Sequence, residues 1–500
     1  MAGARHFQRG HASLTPNLRG AGLAALRPPG HGRRKALVLG GATAVLVLAG
    51  VAAGLWWRGQ VQHAFAPGQT AAPARADSPS LIDTAMARVQ ETARGLSQTT
   101  GPASGLVRTP LSDPALDQVK PLLGRAEARL IGIYQLIGQG KHREALAAAD
   151  ALVRDHPNFQ LAHLVHGDLL SLQTRPVRQL GDVPDTTAQA AAEQLATLRE
   201  ESRRRLRALT ERPPEGHVPS QFLALATQSR HAIAVDASRS RLYLFENQTP
   251  PGENGKAAPA RLKLIGDYYI SVGLQGIEKQ LEGDKRTPLG VYYITSTLDP
   301  KSLPDLYGVG ALPINYPNAL DAQRGKTGSG IWLHGTPREQ FVRAPQASDG
   351  CVVLANPDLE RLLSTVQVRT TPVVIAPELQ WVAPQHLDAE RDRFETELEA
   401  WRQARSQGQL ERLRGFYSER FNNQGRDLSA WWPRVESELR SAGSRELELK
   451  DLSLLRWRDS QDTMVVTFGE VPAGQTRGVT RRQYWSHENG QWKIFFEGTL

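Results

Sequence analysis

The chain of 500 residues has one cysteine, Cys351. A single cysteine excludes any internal disulfide, including in an oxidising compartment that would permit one. Acidic residues are missing from the first 35 positions, where Arg5, Arg9, Arg19, Arg27, Arg33, Arg34 and Lys35 stand. That tail holds +7 of the formal +9, so the excess charge belongs to it and not to a nucleic-acid-binding face, and no basic patch studded with aromatics accompanies it. A sustained 34-residue repeat is also missing, which argues against a solenoid. His163 and His166 share a helix face, but no third ligand lies near them in the sequence, so no metal site is expected.

One charge-free run is present, the 22 residues Ala36 to Trp57. A membrane-spanning helix needs ~20 apolar residues. Arg33-Arg34-Lys35 before the run and Trp56-Trp57 at its end predict a span with residue 1 in the cytoplasm and the bulk of the chain outside. A cleaved signal peptide is the competing reading. Its apolar region is shorter as a rule, and the nearest small-residue cleavage site, Ala72-Pro73-Ala74, lies well downstream, which favours an uncleaved anchor in the inner (cytoplasmic) membrane with a periplasmic catalytic part. Residues 58–112 are rich in Ala, Pro, Gly, Ser and Thr and read as a flexible linker whose work is reach.

Residues 113–210 read as helical. Lys141 to Gln173 resembles a tetratricopeptide-type helix pair with its turn at residues 155–158, and Thr186 to Leu209 is a further charged helix. Partner docking or dimerisation is one expectation for this region, and plain packing is the other. From about Phe222 the period changes to that of strands, as in Ile233, Val235, Leu242 and Leu244. After Glu378 come helices at 386–406, 410–417 and 428–441, then strands at 446–458, 462–470, 478–487 and 491–497, with a hairpin turn at Glu488-Asn489-Gly490.

The chemistry concentrates between Ile331 and Leu354. The apolar run Ile331 to Leu333 ends on His334-Gly335, a polar loop follows, and Ser348-Asp349-Gly350-Cys351 leads into Val352 to Leu354. His334 precedes Cys351 by 17 positions. The pattern suits a thiol nucleophile and its base on neighbouring strand ends, because a thiol needs a base or a positive field to ionise near neutral pH. Glycine before the cysteine permits a tight turn that aims backbone N–H groups at one oxyanion. A buried inert cysteine and a structural histidine are the bland readings, and the framing of both residues by glycines outweighs them. Papain-like and NlpC-like peptidases place the cysteine before the histidine, the reverse of the order here.

His334-Gly335-Thr336 with Ser348-x-Gly350-Cys351 resembles the signature of the YkuD-type L,D-transpeptidases of bacterial cell walls. His231 to Glu246 resembles the opening hairpin of that domain, Gly283 to Gly290 its Thr-Pro-x-Gly turn, and Asn315 to Asn318 with Thr327 to Gly330 the segments of a YafK-like branch. Two positions depart. Asp349 stands where many members have a second histidine, and Val353 where many have an arginine; these bear on acceptor handling and substrate grip. The helices and curved sheet of the C-terminal segment resemble a nuclear-transport-factor-like cone. A YkuD-type domain followed by such a cone is similar to the cell-shape L,D-carboxypeptidases of helical bacteria.

The expected fold is thus multidomain: tail (1–35), transmembrane helix (36–57), linker (58–112), α-helical tetratricopeptide-like region (113–210), mainly-β YkuD-type catalytic domain (228–377) and α+β nuclear-transport-factor-like domain (386–500). The resemblance implies that His334 is the base for Cys351, with the Gly335 carbonyl holding the imidazole. Backbone N–H groups of Gly350, Cys351 and Asp349 are the expected oxyanion donors. Arg286, Tyr316, Trp332, Arg343 and Ser348 are the expected substrate contacts. The expected partners are peptidoglycan stem peptides, and no metal or organic cofactor is implied. The expected reaction is acylation of Cys351 by the meso-diaminopimelate carbonyl of a donor stem, followed by transfer to an acceptor amine. Transfer to water (L,D-carboxypeptidase), an amidase releasing wall-attached protein, and a non-catalytic wall-binding scaffold are the alternatives. Trp431, Trp432, Trp457 and Trp485 read as core in preference to a ligand cleft.

Overall fold

In the helical region apolar residues recur at helical spacing, and they bury one face of each helix. Helices α1 (Arg125–Gly138), α2 (His142–Asp155) and α3 (Gln160–Ser171) pack through Leu130, Ile131, Ala145, Ala149, Leu152, Leu161 and Val165. The turn between α2 and α3 falls where the sequence places it. The single helix expected over 186–209 is two, α4 (Asp185–Ala190) and α5 (Ala192–Thr210), because Ala191 leaves helical geometry at φ −111°, ψ 16°. This computed structural model describes residues 105–108 and 119–500, apart from 253–255 and 443–445. The tail, the run Ala36–Trp57 and nearly all of the linker lie outside the described residues. Among the described residues no helix is long and apolar enough to cross a membrane.

Two short strands, β1 (Val107–Arg108) and β2 (Glu211–Arg212), pair with each other and bracket the helices. β3 (Val218–Pro219) and β4 (Phe222–Ala224) follow. The catalytic segment then supplies β5 (His231–Asp236), β6 (Arg241–Asn247), β7 (Leu262–Gly273), β8 (Gly290–Tyr293), β9 (Ala311–Pro313), helix α6 (Ala319–Gln323), β10 (Trp332–His334), β11 (Gln346–Ser348), β12 (Val352–Leu354), helix α7 (Asn356–Thr365) and β13 (Pro372–Ala376). They form one sheet in the order β8-β13-β5-β6-β7-β12-β10-β9, with β11 beside β7. One apolar layer of this sheet, including Ile233, Val235, Leu333, Val352, Leu354 and Ile375, packs as a single core.

After β14 (Trp381–Val382) come α8 (Asp388–Ser406), α9 (Leu410–Arg414), α10 (Leu428–Ala442), and β15 (Leu447–Arg458), β16 (Asp462–Pro472), β17 (Val479–Glu488) and β18 (Gln491–Thr499). The four long strands form an antiparallel sheet whose fifth strand is β4, from ahead of the catalytic segment. β14 likewise pairs with β3. The C-terminal unit is therefore not confined to residues after 386. One continuous core joins Tyr243, Tyr293 and Val374 of the catalytic segment to Trp401, Trp457 and Trp485 of the C-terminal unit. Trp431, Trp432, Trp457 and Trp485 are all buried in it.

The helical region is fastened to the catalytic sheet by buried charge. Glu127 of α1 accepts from Arg205 of α5 and Arg241 of β6, both at 2.8 Å, and Arg241 also bonds Asp267 at 2.6 Å. Burial alone raises the Glu127 carboxyl, but the two guanidiniums reverse this and hold it below its usual range. Deleting one member of such a network strands the rest without water. Glu127→Ala is expected to cost about 3–5 kcal/mol in urea unfolding. Arg324→Ala, which removes the half-exposed bidentate pair with Asp459 (2.6 and 2.7 Å), is expected to cost about 1 kcal/mol or less.

Candidate active site

β10 and β12 pair in parallel, Leu333 opposite Val352 and His334 opposite Val353. Side chains alternate along a strand, so Leu333 and Val352 enter the sheet core together while His334 and Val353 face the other way. Cys351, two positions before Val353, shares the His334 side. The loop between the strands therefore returns the thiol to the edge where the imidazole stands.

The histidine is 3% exposed and its Nδ1 lies 2.7 Å from the Gly335 carbonyl. A carbonyl only accepts, so Nδ1 carries the hydrogen and Nε2 keeps its lone pair. Burial, joined by the nearby Arg343 cation and against the pull of the Gly335 carbonyl, holds the imidazole down to about 4. It is neutral at pH 7. Tyr307 meets it edge-on at 5.0 Å and packs on Trp332 at 4.8 Å.

The Cys351 thiol is partly exposed and its sulfur is 3.5 Å from the Gly330 carbonyl. Burial around the sulfur, with the Asp349 carboxylate adding to it, pushes the thiol up. The Trp332 backbone N–H, Arg343 and Lys279 act in the opposite direction. The resting pair is thiol and neutral imidazole. For proton transfer the S–H must turn from Gly330 to Nε2, so the geometry fits general-base activation better than a pre-formed ion pair.

The turn before the cysteine is closed by Ser348. Its hydroxyl donates to the Cys351 carbonyl at 2.6 Å and accepts the Gly350 N–H at 3.1 Å. Gly350 has φ 121°, and a Cβ there would stand 2.8 Å from the Arg286 carbonyl, so only glycine fits. Two expectations change here. The Gly350 N–H is committed to Ser348 and leaves the set of oxyanion donors. Ser348, 2% exposed, is a staple of the turn and not a substrate contact.

Of the other expected contacts, Tyr316 is 5% exposed with its hydroxyl donated to the Thr327 carbonyl, and so is removed from substrate by burial. Arg286 is exposed on the neighbouring loop with its guanidinium on the Ile277 carbonyl at 2.9 Å. Asp349 projects into solvent 3.6 Å from Lys285. Trp332 and Arg343 are half-buried at the site. The Arg343 charge acts on both His334 and Cys351.

Asn356 was not singled out by the sequence. Its Oδ1 accepts the Thr336 N–H at 3.0 Å and the Val309 N–H at 3.3 Å, and its Nδ2 donates to the Thr336 carbonyl at 2.9 Å. A Cβ on Gly335 would fall 2.0 Å from that Oδ1, so the His-Gly-Thr turn and the amide fit only as a pair. The signal was slight: an asparagine before Pro357 at a strand–helix junction. Tyr307, which bonds the Gly335 N–H through its carbonyl at 3.1 Å, carried no pattern at all.

Residues 230–375 match the family model of the YkuD L,D-transpeptidase catalytic domain. The chain carries a YkuD catalytic domain. Residues 393–498 match the Cds6 C-terminal NTF2-like domain. Among solved structures, the chain is similar to Bd1075 of Bdellovibrio bacteriovorus, at 26% identity and TM-score 0.46 over 57% of this chain and 98% of that one. It is also similar to the helical cell shape determining protein Pgp2 of Campylobacter jejuni, at 21% identity and TM-score 0.44 over 56% of this chain and 95% of that one. No curated protein matches it. The YkuD family consists of cysteine-dependent enzymes acting on peptidoglycan stem peptides.

Asn356→Ala leaves the Thr336 and Val309 backbone groups without their partner. It is expected to lower stability by about 1–3 kcal/mol in urea unfolding and to reduce turnover beyond what that loss explains, because the imidazole's carbonyl anchor is released.

Proposed function

We propose that the YkuD domain of this chain is a peptidoglycan L,D-carboxypeptidase that trims stem tetrapeptides to tripeptides. The observation that carries the reading is the neutral imidazole, with Nε2 free, on the strand beside the only thiol in the chain. His334 Nε2 takes the thiol proton as sulfur attacks the carbonyl at the L-centre of meso-diaminopimelate. The oxyanion is met by the backbone N–H of Cys351, with that of Asp349, each donor worth ~3–4 kcal/mol in comparable sites. The C–N bond breaks, the proton on Nε2 passes to the departing D-alanine amine, and a thioester remains. Water then loses a proton to Nε2, attacks, and restores the thiol. Arg343 is the contact for a stem carboxylate.

Two observations favour water over an amine as acceptor. The Asp349 carboxylate acts on the Cys351 sulfur from the solvent side, and the same negative charge favours the protonated, unreactive form of an approaching ammonium. A YkuD match followed by an NTF2-like match supports the resemblance, drawn from the sequence, to the cell-shape L,D-carboxypeptidases. Transfer to a second stem's amine, giving a 3→3 crosslink, is the second reading and shares every step up to the thioester. The run Ala36–Trp57 serves in this proposal as the anchor that holds the enzyme at the inner membrane, facing the periplasm.

Incubation with purified tetrapeptide muropeptides is expected to yield tripeptide without crosslinked dimers, and Cys351→Ala to yield neither. Dimers in place of tripeptide turn the assignment to transpeptidation. Identical behaviour of the wild-type chain and Cys351→Ala ends the enzymatic reading. The base form of His334 persists down to about pH 4. The acid limb of kcat/KM is therefore expected near that value, well below the ~6.5 of an ordinary histidine.

A further inference from the structure

We propose that the helical region is a working part of the catalytic unit: Asn158, Phe159 and Arg205 clamp the loop at residues 335–347 and thereby position Arg343 beside the Cys351–His334 pair. The proposal rests on the reading of that pair as nucleophile and base.

The loop leaves the His334 strand and runs out to the helices before it returns. At its far point the Phe341 ring stacks on Phe159 at 4.4 Å and lies 5.0 Å from His156. The Phe341 N–H donates to the Asn158 carbonyl at 3.3 Å, and the Asn158 side-chain amide donates to the Arg338 carbonyl at 2.9 Å. Phe341 belongs to the core of the helical region, and Val342 packs against the same cluster. On its inner side the loop is tied back by the Thr336 hydroxyl, which donates to the Phe341 carbonyl at 3.2 Å.

Arg343 follows directly. Its carbonyl accepts from the Tyr269 hydroxyl at 3.1 Å. The Tyr269 ring in turn carries the Arg205 guanidinium on its face at 3.9 Å, and Arg205 is held by Glu127 and Glu201. Phe341 and Val342 are thus held directly by the helical region, and Arg343 indirectly, through Tyr269 of β7 on which Arg205 rests. The Arg343 guanidinium itself has one hydrogen bond among the described residues, to the Leu306 carbonyl at 3.5 Å. A side chain so lightly tethered takes its place from the backbone that bears it.

That place has a chemical consequence. The charged groups acting on the thiol are Arg343 and Lys279, which favour the thiolate, and Asp349, which opposes it, together with the Trp332 N–H. Arg343 is also the one cation acting on His334. Lys279 is fixed separately by Asp284 at 2.8 Å. Release of the clamp removes the Arg343 contribution alone.

Because Cys351 is the only cysteine, iodoacetamide alkylation of the full chain reads one thiol. Alkylation is measured from neutral to strongly basic pH for the wild type, Arg343→Gln, Phe341→Ala, Asn158→Ala and the Phe341→Ala/Arg343→Gln double variant. Phe341→Ala and Arg343→Gln are each expected to raise the apparent thiol pKa and to slow alkylation at pH 7 by about three- to tenfold. The double variant is expected to be no slower than Arg343→Gln alone, and Phe341→Leu, which keeps the apolar contact, to recover most of the rate. Asn158→Ala, a milder change, gives the same reading should Phe341→Ala fail to fold by circular dichroism. A shifted profile for Arg343→Gln beside an unshifted one for the clamp variants overturns the proposal, as does an unshifted Arg343→Gln or a fully additive double variant. No substrate enters this measurement, so its failure is distinct from failure of the muropeptide assay.

Discussion

The parallel pairing of β10 with β12 sets two side chains from opposite ends of a loop on one face of the sheet, and the chemistry of the candidate site hangs on that register. A slip of one residue would turn His334 or Cys351 into the apolar core. The register is secured on both sides. Leu333, Val352 and Leu354 bury the opposite face, while Asn356 and the Ser348 staple lock the two turns that flank the strands. Packing and polar turn chemistry therefore agree on one geometry, as expected of a sequence that specifies a single arrangement.

The electrostatics of the pair follow from burial. Desolvation disfavours both charged forms, imidazolium and thiolate, so the resting state carries no charge on either group. Charge then appears only as the reaction proceeds, in a place where Arg343, Lys279 and the Trp332 N–H already stand. Groups fixed in advance around a developing anion need no reorganisation at the moment of attack. Asp349, which projects into solvent near Lys285, works against this field.

The sequence carried the helices, the late strands and the His334–Cys351 pair because each is written locally, in period, turn residues or motif. The hairpin at Asn489-Gly490 is one example: both residues adopt the positive φ that their types favour. What stayed hidden was settled at long range. Tyr316 looked available until burial placed its hydroxyl on a backbone carbonyl. Gly350 looked like an oxyanion donor until Ser348, two residues away, claimed its N–H. Arg343 is a candidate contact from the sequence, but what holds it is not legible there. Its setting depends on Phe341 meeting Phe159, residues 182 positions apart with no shared pattern. β4 was hidden for the same reason, since three apolar residues do not announce which sheet they will join.

That small strand makes the YkuD domain a guest within its neighbour. Phe222–Ala224 and Val218–Pro219 lie on one side of it in the chain, Trp381–Val382 and the NTF2-like unit on the other, and both sides meet in shared sheets. During synthesis the edge strand of the C-terminal sheet emerges first and waits for β15, Leu447–Arg458, before it has a partner. Synthesis of the C-terminal unit is thus split around the catalytic segment, unlike that of independent domains strung in series. Completion of that unit draws together the two ends of the catalytic segment from outside.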